Sequence, residues 1–205
     1  PYPRWIAHRG AGKLAPENTL AAFRLGAQYG YRMFECDAKL SSDGVPFLMH
    51  DATLERTTNG HGTGGDLPWA ELAQLDAGGW HSRGHAGEPL PTLERIARFC
   101  LRNHYHLDIE IKPTPGLEEP TGQAVAALAA RLWQGAAVPP LLTSFKPASL
   151  AGARQAAPPA TAPAACARPS RCRDGADPHR AGFRPAVSGS LRGPAHRQEP
   201  GFRDS

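Results

Sequence analysis

The stretch RMFECDAKLSSDGVPFLMHD, residues 32–51, decides the fold. Arg32 to Leu40 is an apolar run of strand length, Ser41-Ser42-Asp43-Gly44 is a turn, and Val45 to Met49 is a further strand ending at His50-Asp51. Glu35 and Asp37 are two residues apart, so a strand sends both carboxylates to one face. Among Met33, Phe34, Cys36 and Ala38, two inward-facing acids need positive compensation. A hard divalent cation provides it, because Mg²⁺ and Ca²⁺ take carboxylate oxygens. The other reading of the pair is the solvent-facing side of an edge strand.

Working outward, Arg4 to Ala7 reads as a first strand that ends at His8-Arg9-Gly10. Pro16-Glu17-Asn18-Thr19 is a turn with a helix cap, and Leu20, Phe23, Leu25 and Ala27 set a helix closed by Gly30. From Asp51 to Glu88 the chain is rich in Gly, Thr and His, with Trp69 to Leu75 as its one helical stretch. This predicts an insertion running over the surface, and insertions of that length are usually functional. Pro91 to His104 is a helix with Leu93, Ile96, Ala97, Cys100 and Leu101 on one side. A strand at Leu107 to Ile111, a helix at Gln123 to Trp133, a strand at Leu141 to Phe145 and a helix from near Ala148 complete the pattern. Five strands alternating with helices predict an α/β domain with a parallel sheet.

Chemistry in such sheets gathers where strands end in their carboxyl direction. His8 and Arg9 end the first strand and His50-Asp51 ends the third. In Asp108-Ile109-Glu110-Ile111-Lys112, Asp108, Glu110 and Lys112 share a face, so another carboxylate and an ammonium group can converge on Glu35 and Asp37. Three carboxylates with open positions suit a single-metal site that leaves room for a phosphate. Arg9 is the natural guanidinium fork and Lys112 the point charge for that phosphate, although a lysine there also fits an exposed strand end. Two imidazoles at one rim, His8 and His50, suit an acid and a base. His61, His81, His85, His104, His106, His179 and His196 lack strand-end placement and read as surface or loop residues.

These motifs resemble a known family. His8-Arg9-Gly10, Pro16-Glu17-Asn18-Thr19, Glu35-x-Asp37, His50-Asp51, Glu110-Ile111-Lys112 and Ser144-Phe145 match, in order, those of glycerophosphodiester phosphodiesterases, and residues 2–157 look most like the bacterial cytosolic enzymes. The resemblance implies a (β/α)₈ TIM barrel with its site at the carboxyl ends of the strands, and hydrolysis of glycerophosphodiesters to glycerol 3-phosphate and an alcohol with one divalent cation, Mg²⁺ or Ca²⁺. By matching motif, Glu35, Asp37 and Glu110 would ligate the metal, Arg9 and Lys112 would hold the phosphate, His8 and His50 would act as general base and acid, and Asn18 would support the metal loop. The 51–88 insertion would be the family's small cap over the glycerol side.

Charge divides the 205 residues in two. Residues 1–157 hold 15 basic and 15 acidic side chains, whereas 158–205 hold eight arginines against four acids and carry the whole net charge of +4. The pI near 9.1 therefore belongs to the tail and gives no footprint for specific nucleic-acid binding. With eight prolines and little aliphatic content, 158–205 is expected to be disordered, and its composition suggests a frameshift near residue 157. The expected fold is thus an incomplete barrel, about five of eight strands, and the second reading of the chain is an inactive truncated fragment. Cys36 and Cys100 are expected as buried thiols, and Cys166 and Cys172 lack zinc-site spacing. With no long apolar run or leader, the sequence predicts a cytoplasmic protein with a small-molecule substrate, no membrane span and an open oligomeric state.

Overall fold

A computed structural model describes residues 2–156 and the backbone of Ala164–Ala167. Its strands are β1 (Met33–Leu40), β2 (Pro46–Leu48), β3 (His106–Ile111), β4 (Leu141–Ser144) and β5 (Ala164–Ala167). Its helices are α1 (Leu20–Gln28), α2 (Trp69–Leu72), α3 (Leu93–Arg102), α4 (Glu118–Leu132) and α5 (Pro147–Ala156). The sheet runs β2-β1-β3-β4-β5. Four strands are mutually parallel and β2 is antiparallel to β1. Parallel strands joined by helical crossovers make this an incomplete α/β barrel, since closure takes eight.

Strand alternation divides the sheet into two chemistries. Phe34, Cys36 and Ala38 of β1 and Leu107, Ile109 and Ile111 of β3 join Phe23, Ile96, Cys100, Val125 and Leu150 of the helices in the main core. The intervening residues are Glu35, Asp37 and Lys39, with Glu35 in register with Asp108 and Asp37 with Glu110. β1 is interior and buried at all eight positions, which excludes the solvent-facing edge-strand reading of its acids. Thr19 and Thr92 cap α1 and α3, their hydroxyls accepting from the Ala22 and Arg95 amides. Cys36 and Cys100 are buried free thiols, as expected.

Four elements differ from the sequence reading. The first strand shrinks to one parallel bridge, Ala7 to Phe34, because Pro3 has no amide hydrogen to give and Arg4 sits in a bend with Trp5 exposed. The predicted Val45–Met49 strand is no parallel rung but a hairpin arm. Four turn residues allow only a reversal, and the Ser41 hydroxyl holds it by accepting from the Val45 amide at 2.9 Å. The insertion, expected as a surface loop, packs Leu54, Leu72 and Ala77 against Phe47, Met49 and Leu90 of the segments that flank it, in a small second core. Its helix stops at Leu72, with single 3₁₀ turns at Gly64–Asp66 and Arg83–His85. Finally, the sequence reading placed no strand after Ala157, but Ala164–Ala167 pairs in parallel with Leu141–Ser144. The expectation of disorder for the remainder of 158–205 falls outside the described residues, as do Cys172, His179 and His196.

Candidate active site

The site starts in the loop after Ala7. The Ala7 amide donates to the Met33 carbonyl and its carbonyl accepts from the Glu35 amide, both at 2.9 Å, so His8 emerges beside Glu35. Arg9 (φ 51°) and Gly10 (φ 98°) then turn the chain back onto α1. A Cβ on Gly10 would lie 2.7 Å from the Ala22 Cβ, and one on Gly26 would lie 2.1 Å from the Gly10 carbonyl oxygen. Two glycines therefore let the loop rest directly on the helix. The Arg9 amide donates to Glu35 Oε2 at 2.9 Å.

Asn18, at φ 59°, completes this loop. Its amide donates to the Arg9 carbonyl at 3.0 Å. Its Nδ2 donates to Asp37 Oδ2 at 2.9 Å, and its Oδ1 accepts from the Asp37 amide at 3.1 Å. Asn tolerates the left-handed conformation, so one residue both turns the chain and fixes an acid.

Glu35 and Asp37 from the middle of β1 and Glu110 from the end of β3 are all buried, each with one carboxylate oxygen within 4.8 Å of the others'. Arg9 Nε stands 3.2 Å from Asp37 Oδ2 and its Nη1 donates to Glu17 Oε1 at 2.9 Å. Lys112 Nζ donates to Glu110 Oε1 at 3.1 Å, lies 3.8 Å from Asp37 Oδ1 and stands over the Phe145 ring at 5.6 Å. Lys112 is thus tied into the cluster rather than left as an exposed strand end. Asp108 sits deeper on the same face, accepts from the Thr143 hydroxyl at 2.9 Å and is not part of the triad. An all-oxygen set of three buried carboxylates, with Arg9 and Lys112 beside it, fits a hard divalent cation.

Lys39 is a buried cation that sequence reasoning missed; its ammonium donates to the Lys112 carbonyl at 2.9 Å. Burial pushes its pKa down to about 8, opposed by the Asp37 charge and reinforced by Lys112. Its position two residues past Asp37 was the available signal.

The two histidines differ in setting. His8 is well exposed, its Nε2 3.8 Å from Glu35 Oε2. His50 is more enclosed, and its Nδ1 lies 2.7 Å from Asp51 Oδ1. Arg56 bonds Asp51 through Nε and forks onto both oxygens of Glu17 at 2.7 and 2.9 Å. The Arg56 hydrogen bond, working against partial burial and aided by His50, holds the Asp51 carboxyl at about 2. Burial alone would raise the Glu17 carboxyl, but Arg56 and Arg9 more than offset it and leave it below the usual carboxylate range. The sequence offered Glu17 only as part of a turn motif and gave no signal for Arg56. Among the other described histidines, His61, His81, His85 and His104 lie in turns or loops, while His106 opens β3 at the opposite end from the site. A separate open groove of about 500 Å³, lined by Gly44, Thr92, Glu94 and Arg131, holds none of these groups.

The comparisons with known proteins agree with this layout. The chain is 40% identical over 124 residues to the glycerophosphodiester phosphodiesterase of Caldanaerobacter subterraneus subsp. tengcongensis, covering 58% of this chain and 51% of that protein. The chain spans about half the length of the curated relatives it matches first. Among solved structures it resembles an Oleispira antarctica phosphodiesterase in complex with the product sn-glycerol-3-phosphate, at TM-score 0.71 and 40% identity, covering 75% of this chain and 62% of that one. The glycerophosphodiester phosphodiesterase of Agrobacterium tumefaciens matches at TM-score 0.63 and 34% identity, covering 74% and 62%. The glycerophosphoryl diester phosphodiesterase family profile matches residues 8–181, from His8 through β5. The chain belongs to the glycerophosphoryl diester phosphodiesterase family.

Proposed function

We propose that this chain hydrolyses glycerophosphodiesters to glycerol 3-phosphate and an alcohol. The observation that carries the reading is the buried triad Glu35, Asp37 and Glu110 with Arg9, Lys112 and His8 beside it and His50 joined to Arg9 through Asp51, Arg56 and Glu17. The product in the related Oleispira antarctica structure supports the substrate class. Glu35, Asp37 and Glu110 would hold one Mg²⁺ or Ca²⁺, which supplies Lewis-acid stabilisation of charge developing on the phosphoryl oxygens.

Arg9 and Lys112 would bind the phosphate, the guanidinium as a fork and the ammonium as a point charge. One imidazole takes the proton from a glycerol hydroxyl as its oxygen attacks phosphorus. The bond from phosphorus to the alcohol oxygen breaks, and the second imidazole gives that oxygen a proton. Water then opens the cyclic phosphate, adding hydroxide at phosphorus and a proton at the glycerol oxygen. Such proton transfer accounts for about 10²–10⁴-fold in rate. Folded 1–157 as the catalytic part, a cap over 51–88 and a cytoplasmic location belong to the same reading; among the described residues no helix is long and apolar enough to cross a membrane.

A second reading rests on the sheet. Among the described residues it has five strands, fewer than a closed barrel needs, and in this reading the chain carries the constellation as an inactive fragment. The two readings separate on glycerol 3-phosphate release from glycerophosphocholine with Mg²⁺ or Ca²⁺. Turnover that disappears in His8→Ala and His50→Ala while calorimetric metal binding persists, and a loss of both in Glu35→Ala, supports the enzyme. Metal bound without turnover in the unaltered chain supports the fragment.

A further inference from the structure

Glu17, Arg56 and Asp51 form an unbroken chain of charge-assisted bonds between Arg9, beside the carboxylate triad, and His50. Arg56 comes from the insertion, 39 residues from Glu17, and Glu17 from the loop before α1, so these bonds join two segments distant in sequence.

We propose that Asp51 and Arg56 are positioning residues that fix His50 in the Nδ1–H tautomer and couple its placement to Arg9. The argument is one of donors and acceptors. An ionised carboxylate only accepts, so with Asp51 Oδ1 2.7 Å from His50 Nδ1 that nitrogen must carry the hydrogen. Nε2 is then the atom left to exchange a proton with substrate, in the way an orienting carboxylate serves a catalytic histidine. Arg56 determines where the carboxylate sits: its Nε holds the second Asp51 oxygen while its two terminal nitrogens clamp Glu17. The guanidinium is planar and forked, so those bonds set an orientation as well as a distance. Glu17 also accepts from Arg9 Nη1 at 2.9 Å. A phosphate that draws on Arg9 therefore pulls on the same carboxylate that anchors Arg56.

The catalytic part of this proposal rests on the proposed function; the tautomer part does not, which keeps their failures apart. In the full chain, ¹⁵N NMR of the imidazoles, with His50 assigned by its loss in His50→Gln, is expected to show Nδ1 protonated and Nε2 bare in the neutral ring. An Nε2–H signal in the unaltered protein overturns the proposal. Asp51→Asn, whose amide can donate as well as accept, is expected to mix the tautomers and lower kcat about 10²-fold, with KM changed less than about threefold. Arg56→Gln is expected to lower kcat by about 10–10²-fold through misplacement of His50, and Arg56→Lys to restore part of the loss, by keeping one ion pair without the fork. An unchanged tautomer in a folded Asp51→Asn, or a loss in Arg56→Gln that lies wholly in KM, overturns it. If the unaltered chain releases no glycerol 3-phosphate, the functional reading falls and the NMR result still decides the positioning claim.

Discussion

At the scale of single residues, the candidate site is a problem in buried charge. Glu35, Asp37, Asp108 and Glu110 lie within the protein with Lys39, while Arg9 and Lys112 are only partly covered. Ionised groups remain charged in such surroundings only when paired and hydrogen-bonded, and each of these acids has a named partner above. Asp51 gives a pH test. Its carboxyl is held at about 2 in the fold against roughly 3.9 in an unfolded chain. Its contribution is therefore complete above about pH 4 and is lost as pH falls through about 2. Asp51→Asn should cost about 1 kcal/mol at pH 6, discounted for partial exposure, and the gap in urea midpoints should narrow toward pH 3. A gap that widens on acidification would contradict the assignment. The acids, the two histidines and Lys112 were legible in the sequence because strand alternation and strand ends place them. Glu17, Arg56 and Lys39 were not, since their roles come from contacts between distant segments that no local period encodes.

At the scale of elements, helices are held to the sheet and to each other by the absence of side chains as much as by their presence. α4 and α5 meet at Gly122 and Gly152. A Cβ on Gly122 would sit 2.0 Å from the Ser149 carbonyl oxygen, and one on Gly152 would sit 2.4 Å from the Glu119 carbonyl oxygen. The obstacles are backbone, so the helices must separate to admit a methyl group. Gly122→Ala should therefore destabilise by about 1–3 kcal/mol, despite the gain in intrinsic helix propensity; a urea midpoint equal to or above that of the parent would refute the close contact. Gly26→Ala should act on the site instead, displacing the Gly10 carbonyl and with it Arg9, and weakening metal binding measured by calorimetry. The helices, apart from the start of α4 at Glu118, and the three interior strands β1, β3 and β4 were legible from period and caps. The direction of β2 followed from a turn too short for a crossover, and the loss of the first strand from Pro3. The small second core was hidden because Phe47, Leu54, Leu72 and Leu90 recur at no fixed spacing.

At the scale of the whole molecule, an ion held by Glu35, Asp37 and Glu110 would tie β1 to β3. A ligand that binds only the folded state adds about 2.7 kcal/mol at a hundred times its Kd. Saturating Mg²⁺ or Ca²⁺ should thus raise the Tm of the full chain by about 5–10 °C, a chelator should reverse the shift, and Glu110→Gln should abolish it. An equal shift in Glu110→Gln would place the ion elsewhere. The insertion has a different consequence. Its buried Leu54, Leu72 and Ala77 pack with Phe47, Met49 and Leu90 from its flanks in a cluster separate from the main core, and bonds such as that of Glu88 Oε1, which accepts from the Ala21 amide at 3.0 Å, fasten it to the rest. Such a segment opens as a cooperative block below the free energy of global unfolding. In amide exchange, Leu54, Gly64 and Ala77, whose amides are all bonded within the insertion or to its edge, should lose protection together and earlier than β1 and β3, so that Arg56 leaves Glu17 while the sheet beneath is still intact.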